Sequence, residues 1–328
     1  MRAILVDEAG DESQMHIGEV PAPPLAPGSL RVRVVATAVN RADLLQRQGL
    51  YPPPPGASPI LGLECSGEVV EVAPEVNGWS PGDAVMALLP GGGYAEEVVV
   101  DAGSAMPVPE GLDLVHAAAV PEVFLTVFLN VFQLGALPVG GAVLVHGGGS
   151  GIGTACIQLA RAAGATVVVT AGSEQKCRRC RELGAHAALD YRSGDFAAAA
   201  REATGGRGVD VVLDSIGAPY LAANLAALAT GGRLLLIGLM GGAKSEISLG
   251  ALLARRLQLI GSTLRARSLE EKASLVSAFQ GRFGADLAKG RVAPVIDRIL
   301  PLERAADAHR AVQASEHFGK VVLRVAED

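Results

Sequence analysis

Apolar and polar positions divide this chain into two textures. Up to about residue 119, short runs of alternating β-branched and polar residues at 30–36, 65–72, 82–88 and 95–100 are broken by Pro and Gly. Period-two alternation buries one face of each strand and wets the other, which predicts a mostly antiparallel, barrel-like domain. From about residue 120 the runs become continuously apolar and are separated by alanine-rich helical stretches. Strands of that kind are covered on both faces, so they belong to a parallel sheet with helical crossovers. Six are predicted, at 142–145, 166–170, 187–191, 209–215, 233–238 and 257–262, giving a doubly wound α/β sheet.

After residue 263 come a helix at 269–288, a strand at 295–299, an alanine-rich helix at 302–314 and a last strand at 321–325. This tail is too short for a core of its own and resumes the β character of the start. It is expected to return to the first domain, so that 1–120 with 265–328 form a β-rich domain and 121–264 an inserted parallel-sheet domain.

The 328 residues, 49% hydrophobic and 19% charged, suffice for two full cores. A formal net charge of -6 gives no electrostatic reason to expect nucleic acid or an anionic membrane as a partner. Asp7 and Glu8 interrupt the N-terminus before a signal-peptide apolar core forms, so the expectation is a cytoplasmic protein. The apolar stretch 117–139 is broken by Pro121, Glu122, Asn130, Gln133 and Pro138, and reads as a buried helix between domains rather than a membrane span. Cys65, Cys156, Cys177 and Cys180 are too few and too dispersed for a disulfide framework. Cys177 and Cys180 form a C-x-x-C, but inside a helix-like stretch with no second ligand pair, which favours a plain helix face over zinc or redox work.

The most chemically informative segment is His146-Gly147-Gly148-Gly149-Ser150-Gly151-Ile152-Gly153. A strand at 142–145 enters it, a helix leaves it, and a second apolar strand follows, which is the layout of a βαβ phosphate cradle. Unpaired N–H groups of Gly148, Gly149, Ser150, Gly151, Ile152 and Gly153 are expected to meet a pyrophosphate there. The usual G-x-G-x-x-G is only partly met, because Ser150 stands at the second glycine.

Sites for NAD hold the ribose hydroxyls with an acid about 20 residues past the glycines. Here the second strand ends in Thr170-Ala171-Gly172-Ser173, with no acid until Glu174. Gly172 and Ser173 leave room for a 2′-phosphate and Lys176, with Arg178 or Arg179, supplies positive charge, so the expected cofactor is NADPH. The alternative for these basic groups is a solvated helix face. Tyr191, at the end of the third strand, either packs on the cofactor or is a rim residue. Ser215 and Gly238 close strands at the carboxyl edge of the sheet, where nucleotides bind in such folds.

Asn40-Arg41-Ala42-Asp43-Leu44, Gly62-Leu63-Glu64-Cys65-Ser66-Gly67, Pro81-Gly82-Asp83-Ala84-Val85, and Gly153 followed by Gln158 and Arg161 resemble the zinc-free quinone oxidoreductases of the medium-chain dehydrogenase/reductase superfamily, the zeta-crystallin relatives. The segment 40–51 with its proline run, Leu88 to Gly93, and Ser150 resemble the tumour-suppressor-inducible NADPH:quinone reductase branch. The resemblance implies a GroES-like catalytic domain and an inserted Rossmann domain. Where zinc-dependent relatives carry a metal-binding Cys and His, this chain has Asn40 and Leu63, so no metal is expected. It further implies Tyr51 and Ser150 at the reacting end, Asn40 and Asp43 orienting water or cofactor amide, and Thr126 near the nicotinamide. Backbone groups of Gly238, Leu239, Met240, Thr263 and Leu264 would flank the nicotinamide.

The implied reaction is reduction of a quinone by hydride transfer from NADPH. A quinone needs no Lewis acid because the charge that develops is delocalised. Two rivals remain: an enone or alkenal reductase of the same fold, and a non-catalytic NADPH-binding protein of crystallin-like or RNA-binding type. The apolar edge strand at 257–262 predicts a homodimer.

Overall fold

The computed structural model describes residues 1–192 and 194–326. The chain divides into two units, one of residues 1–125, 264–290 and 294–328, the other of 126–263 with 291–293. The first junction falls between Leu125 and Thr126, inside a helix, whereas the change of texture put it at 120/121.

The second unit is a six-stranded parallel sheet. Its spatial order is Ala187–Asp190, Thr166–Ala171, Ala142–His146, Val209–Asp214, Leu228–Leu236, Gln258–Gly261. The reversal of direction between Ala142–His146 and Val209–Asp214 is the switch point, and the glycine turn leaves the sheet there. All five residues of Ala142–His146 are buried, which explains the unbroken apolar run. Leu144, Val168, Val212 and Leu234 meet Phe196, Leu225 and Leu257 in the core on one side of the sheet.

Two strands differ from expectation. The fifth begins at Leu228, because Thr230-Gly231-Gly232 is accommodated as a bulge: Val209 pairs with Leu228, but Val211 pairs with Arg233. Gly231 takes φ +81° there. The sixth has only four residues, Gln258–Gly261, since Leu257 turns into the core.

The first unit carries a seven-stranded sheet built round the long strand Ser29–Ala38. One edge of that strand pairs throughout with Glu64–Val72. Its other edge is divided, residues 29–33 pairing with Glu97–Asp101 and 36–38 with Lys320–Arg324. Ile296–Pro301 lies parallel to Lys320–Arg324, so the C-terminal strands do complete the N-terminal sheet. The intervening helix Leu269–Ala288 starts at a capping box in which Ser268 and Glu271 exchange side-chain to backbone bonds.

Candidate functional site

In the second unit, strand Ala142–His146 turns through Gly147 to Ser150 into helix Gly151–Ala162. Gly147 has φ +73°, and Gly148 N–H donates to Thr170 O at 2.7 Å. A Cβ on Gly153 would lie 2.3 Å from Gly147 O, and one on Gly148 would lie 2.9 Å from both Cys180 Sγ and Val169. These two glycines are therefore demanded by the closeness of turn, helix and strand, before any ligand is considered. Ser150 is the N-cap: its Oγ accepts from Gly153 N–H at 3.0 Å. Among the described residues no acceptor is found for the N–H groups of Gly149, Gly151 and Ile152. Orphan donors at the N-terminus of a twelve-residue helix fit a pyrophosphate.

Ser173 follows strand Thr166–Ala171 and caps helix Glu174–Leu183, its Oγ accepting from Lys176 N–H at 3.2 Å. The Tyr191 ring lies beside Gly172, where a Cβ would be 3.5 Å from its hydroxyl, and the Arg192 guanidinium stacks 5.6 Å from the ring centre. Gly172, Ser173, Lys176 and Tyr191 thus gather at one carboxyl edge of the sheet, a chemistry that fits a phosphorylated ribose. Cys177 and Cys180 are wholly buried, and desolvation pushes the Cys180 thiol up to about 12, so this pair packs as apolar helix face.

Ser215 O accepts from Met240 N–H at 3.1 Å, and Gly238 packs directly on Ser215. Leu239 and Met240 are 52% and 53% exposed, an unusual position for such side chains. Thr126 is nearly buried and its carbonyl accepts from Asn130 Nδ2 at 2.8 Å. Thr263 and Leu264 fall at the second junction between the units.

Beneath the turn lies a relay that the sequence did not reveal. His146 Nε2 donates to Asn224 Oδ1 at 2.7 Å, Asn224 Nδ2 donates to Asp214 Oδ2 at 2.9 Å, and Asp214 accepts from the N–H groups of Ile216 and Gly217. Burial pushes His146 down, which keeps it neutral, so its Nδ1 can accept from the Thr170 hydroxyl 3.0 Å away. The relay ties together the carboxyl ends of three strands.

In the first unit, Asn40 and Asp43 begin the short helix Arg41–Arg47. Asp43 is fully buried and accepts from Asn40 N–H at 2.8 Å and Gly62 N–H at 3.0 Å. Desolvation, only partly offset by those bonds, raises it to about 6. Asn40 donates from Nδ2 to Glu64 Oε1 at 2.9 Å and accepts at Oδ1 from Lys320 Nζ at 2.6 Å. Lys320 also donates to Glu64 Oε1 at 2.7 Å and to Val39 O at 3.1 Å. The second Glu64 oxygen takes Glu122 N–H at 2.8 Å.

Tyr51 stands apart from that cluster on the loop before the proline run. Arg265, nearly buried, lies with its guanidinium 5.4 Å from the centre of the Tyr51 ring. It donates to Pro90 O at 2.7 Å, Gln46 Oε1 at 2.6 Å and Tyr51 O at 3.4 Å, so one side chain fixes the whole loop. Burial first, then Glu122, raise the Tyr51 phenol above its ordinary value, so it is a proton donor at neutral pH.

The sequence reading missed Glu64, Glu122, Arg265 and Lys320. For Glu64, Glu122 and Lys320 a signal was available, since each is a charge set among apolar residues and a buried charge requires a partner; Arg265, in a stretch with Arg267, Glu270 and Glu271, carried none.

Zinc does not fit this half. Leu63 offers no donor, and both functional atoms of Asn40 are already engaged by Glu64 and Lys320. Among the described residues no group of three His, Cys, Asp or Glu side chains is arranged to hold a metal. Nor is any helix among them long and apolar enough to cross a membrane.

Comparison with known proteins agrees with this architecture. Residues 26–110 match the alcohol dehydrogenase GroES-like domain, and residues 151–279 match the zinc-binding dehydrogenase family. The quinone oxidoreductase of Rattus norvegicus is 31% identical over 98% of this chain and 97% of its own. A mycocerosic acid synthase-like polyketide synthase of Mycobacterium tuberculosis is 35% identical over 96% of this chain, which spans only 15% of that protein's length. Among solved structures, the Escherichia coli quinone oxidoreductase complexed with NADPH superimposes with a TM-score of 0.87 at 25% identity, covering 99% of this chain and 100% of that one. An NAD-dependent alcohol dehydrogenase also gives 0.87, at 33% identity, with 99% and 100% covered. The chain belongs to the medium-chain dehydrogenase/reductase superfamily.

Proposed function

We propose that this protein reduces quinones by hydride transfer from NADPH without a metal. The observation that carries the reading is the Lys320–Glu64–Asn40 cluster, which engages both functional atoms of Asn40, the residue that by the resemblance replaces a metal-binding Cys. Without a Lewis acid to polarise a simple ketone, the acceptor must be activated by its own conjugation, as a quinone is. NADPH, when bound, supplies the hydride. Within the turn Gly148 to Gly153, the N–H groups of Gly148, Ser150 and Gly153 are taken by Thr170 O, Gly147 O and Ser150 Oγ. The free N–H groups of Gly149, Gly151 and Ile152 would hold its pyrophosphate, Gly172, Ser173, Lys176 and Tyr191 its phosphorylated ribose, and Thr126, Ser215, Gly238, Leu239, Met240, Thr263 and Leu264 its nicotinamide side. Tyr51 would donate a hydrogen bond to the acceptor oxygen, and Asn40 and Asp43 position the surrounding backbone. The test is NADPH oxidation with naphthoquinones, phenanthrenequinone and simple enones, repeated with NADH. Faster turnover of quinones with NADPH is expected; equal rates with NADH would overturn the cofactor assignment.

A second reading, reduction of a conjugated enone or enoyl acceptor, is favoured by the 35% identity to a segment of a polyketide synthase. Preferential turnover of enones in the same panel would establish it over the first.

We further infer a homodimer formed at the edge strand Gln258–Gly261. The short length of the strand weakens the case from pairing alone, but the neighbouring helix Leu249–Arg255 presents Leu249 and Leu253, 71% and 82% exposed. All four cysteines are free thiols, which suits the reducing conditions of the cytoplasm.

A further inference from the structure

Tyr51 enters a loop that has little of its own to hold it. Residues 52–55 are all proline, so this run supplies no backbone N–H, and none of residues 51–60 is buried. An internal backbone bond, from Ala57 N–H to Pro54 O at 3.0 Å, closes a single turn. Ties to the rest of the fold must therefore be donated from outside to the loop's carbonyls.

Two side chains supply them. Arg265 Nη1 donates to Tyr51 O at 3.4 Å where the loop begins, and Gln46 Nε2 donates to Pro59 O at 2.8 Å where it returns. The two ties form one unit, because Arg265 Nη2 donates to Gln46 Oε1 at 2.6 Å, so the Gln46 amide is engaged at both its atoms. Arg265 Nε reaches Pro90 O at 2.7 Å, and the chain beyond Pro90 lies directly on the loop. Gly92 N–H donates to Ile60 O at 2.8 Å, and a Cβ on Gly91 would stand 2.6 Å from Ser58 O. Lys272 Nζ in turn holds Arg265 O at 2.8 Å, which fixes the clamp to helix Leu269–Ala288. The clamp needs an arginine: a planar guanidinium donates to three uncharged oxygens while stacking 5.4 Å from the centre of the Tyr51 ring. Lysine keeps the charge but has neither the fork nor the plane.

Resting on the reductase reading above, we propose that Arg265 and Gln46 are positioning residues for the reaction. They hold the Tyr51 loop in one geometry, and through it the phenol that the reading assigns to the acceptor oxygen. Their effect on the reaction passes through Tyr51, since a hydrogen-bond donor helps only when it is already aimed at the oxygen where charge develops.

Two measurements test this, on Arg265→Lys and on the milder Gln46→Leu. Hydrogen–deuterium exchange of the whole protein should show the amides of Leu50, Ala57 and Gly92 exchanging roughly tenfold faster in both variants, while helix Leu269–Ala288 keeps its protection and so reports an intact fold. Unchanged exchange at all three amides in both variants overturns the clamp, whatever the protein reduces. In steady-state assays with the best acceptor, each substitution should lower kcat/KM for the acceptor roughly tenfold and leave NADPH affinity, followed by fluorescence titration, unchanged. In a Tyr51→Phe background the same substitutions should add little, because the hydroxyl they aim is already gone. An equal loss in both backgrounds, or no loss in either, overturns action through Tyr51 and leaves the reductase reading in place. A protein that oxidises NADPH with none of the acceptors overturns the reductase reading, and the exchange measurement decides the clamp separately.

Discussion

Lys320 donates to Glu64 at 2.7 Å with the two side chains only 4% and 0% exposed. A buried ion pair of this kind contributes little net stability compared with an apolar pair, but losing one partner strands a charge. Lys320→Met should destabilise the protein by about 3–5 kcal/mol. The double variant Lys320→Met with Glu64→Gln should recover part of that loss, because no bare carboxylate remains. Urea unfolding of the three proteins measures both effects, and a single variant within about 1 kcal/mol of the parent would show that water already reaches Glu64.

The same pair shows where reading a sequence stops. Continuous apolar strands announced the parallel sheet, and the break in texture announced the insertion, because both depend on burial patterns within a few residues. The helix expected at 269–288 is found as Leu269–Ala288, where the structure adds the capping box of Ser268 and Glu271. Glu64 and Lys320 are 256 positions apart, and Arg265 is 214 from Tyr51. No local period links such pairs; only the folded sheet brings them together. Glu122 was noticed merely as a polar interruption of an apolar stretch, since its neighbours come from four distant segments. The N–H of Gly153 was expected to meet a pyrophosphate, whereas it is taken by Ser150 Oγ, and the glycine's first obligation is to the carbonyl of Gly147.

That obligation separates two residues of the turn. Gly153→Ala would force a Cβ to within 2.3 Å of Gly147 O, so it should cost on the order of 1–3 kcal/mol and weaken NADPH binding by distorting the turn. Ser150→Ala removes the N-cap and should cost about 1 kcal/mol, but Ser150→Gly only a few tenths. If the Ser150 hydroxyl also serves cofactor or substrate, Ser150→Gly should still lower NADPH affinity or turnover. Thermal unfolding alongside fluorescence titration distinguishes these roles, and a Ser150→Gly protein unchanged in both affinity and rate would reduce Ser150 to its cap.

Cofactor choice can be tested at the next helix. Ser173→Asp keeps an acceptor for Lys176 N–H, so the helix should remain capped. It also places an acid where the 2′-phosphate would lie and where NAD sites hold ribose hydroxyls. The ratio of kcat/KM for NADPH over NADH should fall at least tenfold, about 1.4 kcal/mol. An unchanged ratio would place the phosphate elsewhere.

For the dimer, Leu253→Asp puts a charge at the most exposed residue of the apolar helix face. Light scattering at micromolar concentration should give twice the chain mass for the parent protein and the single-chain mass for the variant. A monomeric parent protein would dismiss the edge-strand interface.

Stability against pH should have an asymmetric form set by groups displaced in opposite directions. Glu122 is raised to about 8 and Asp43 to about 6, against unfolded values of about 4. A raised acid binds its proton better in the folded state, so its contribution is complete below the unfolded value and is lost as pH rises through the folded one. His309 is lowered to about 3, mainly by burial and then by the Arg47 guanidinium, and His146 is lowered as well. Each contributes fully above about 6.5, the unfolded value, and loses that contribution as pH falls. Between about pH 4 and 6 the two slopes oppose and largely cancel. From about 6.5 to 8 the Glu122 slope stands alone among these groups, so stability should decline there, by at most about 1.4 kcal/mol per pH unit and by less as solvent screens the carboxyl. Glu122→Gln should flatten this arm and also remove one of the opposing slopes below it, so that stability of the variant rises with pH between about 4 and 6, while His309→Gln should act on the acid side only. Denaturant midpoints measured from pH 4 to 9 decide it: a parent protein whose stability is level between pH 6.5 and 8 would mean that Glu122 is already ionised in the folded state.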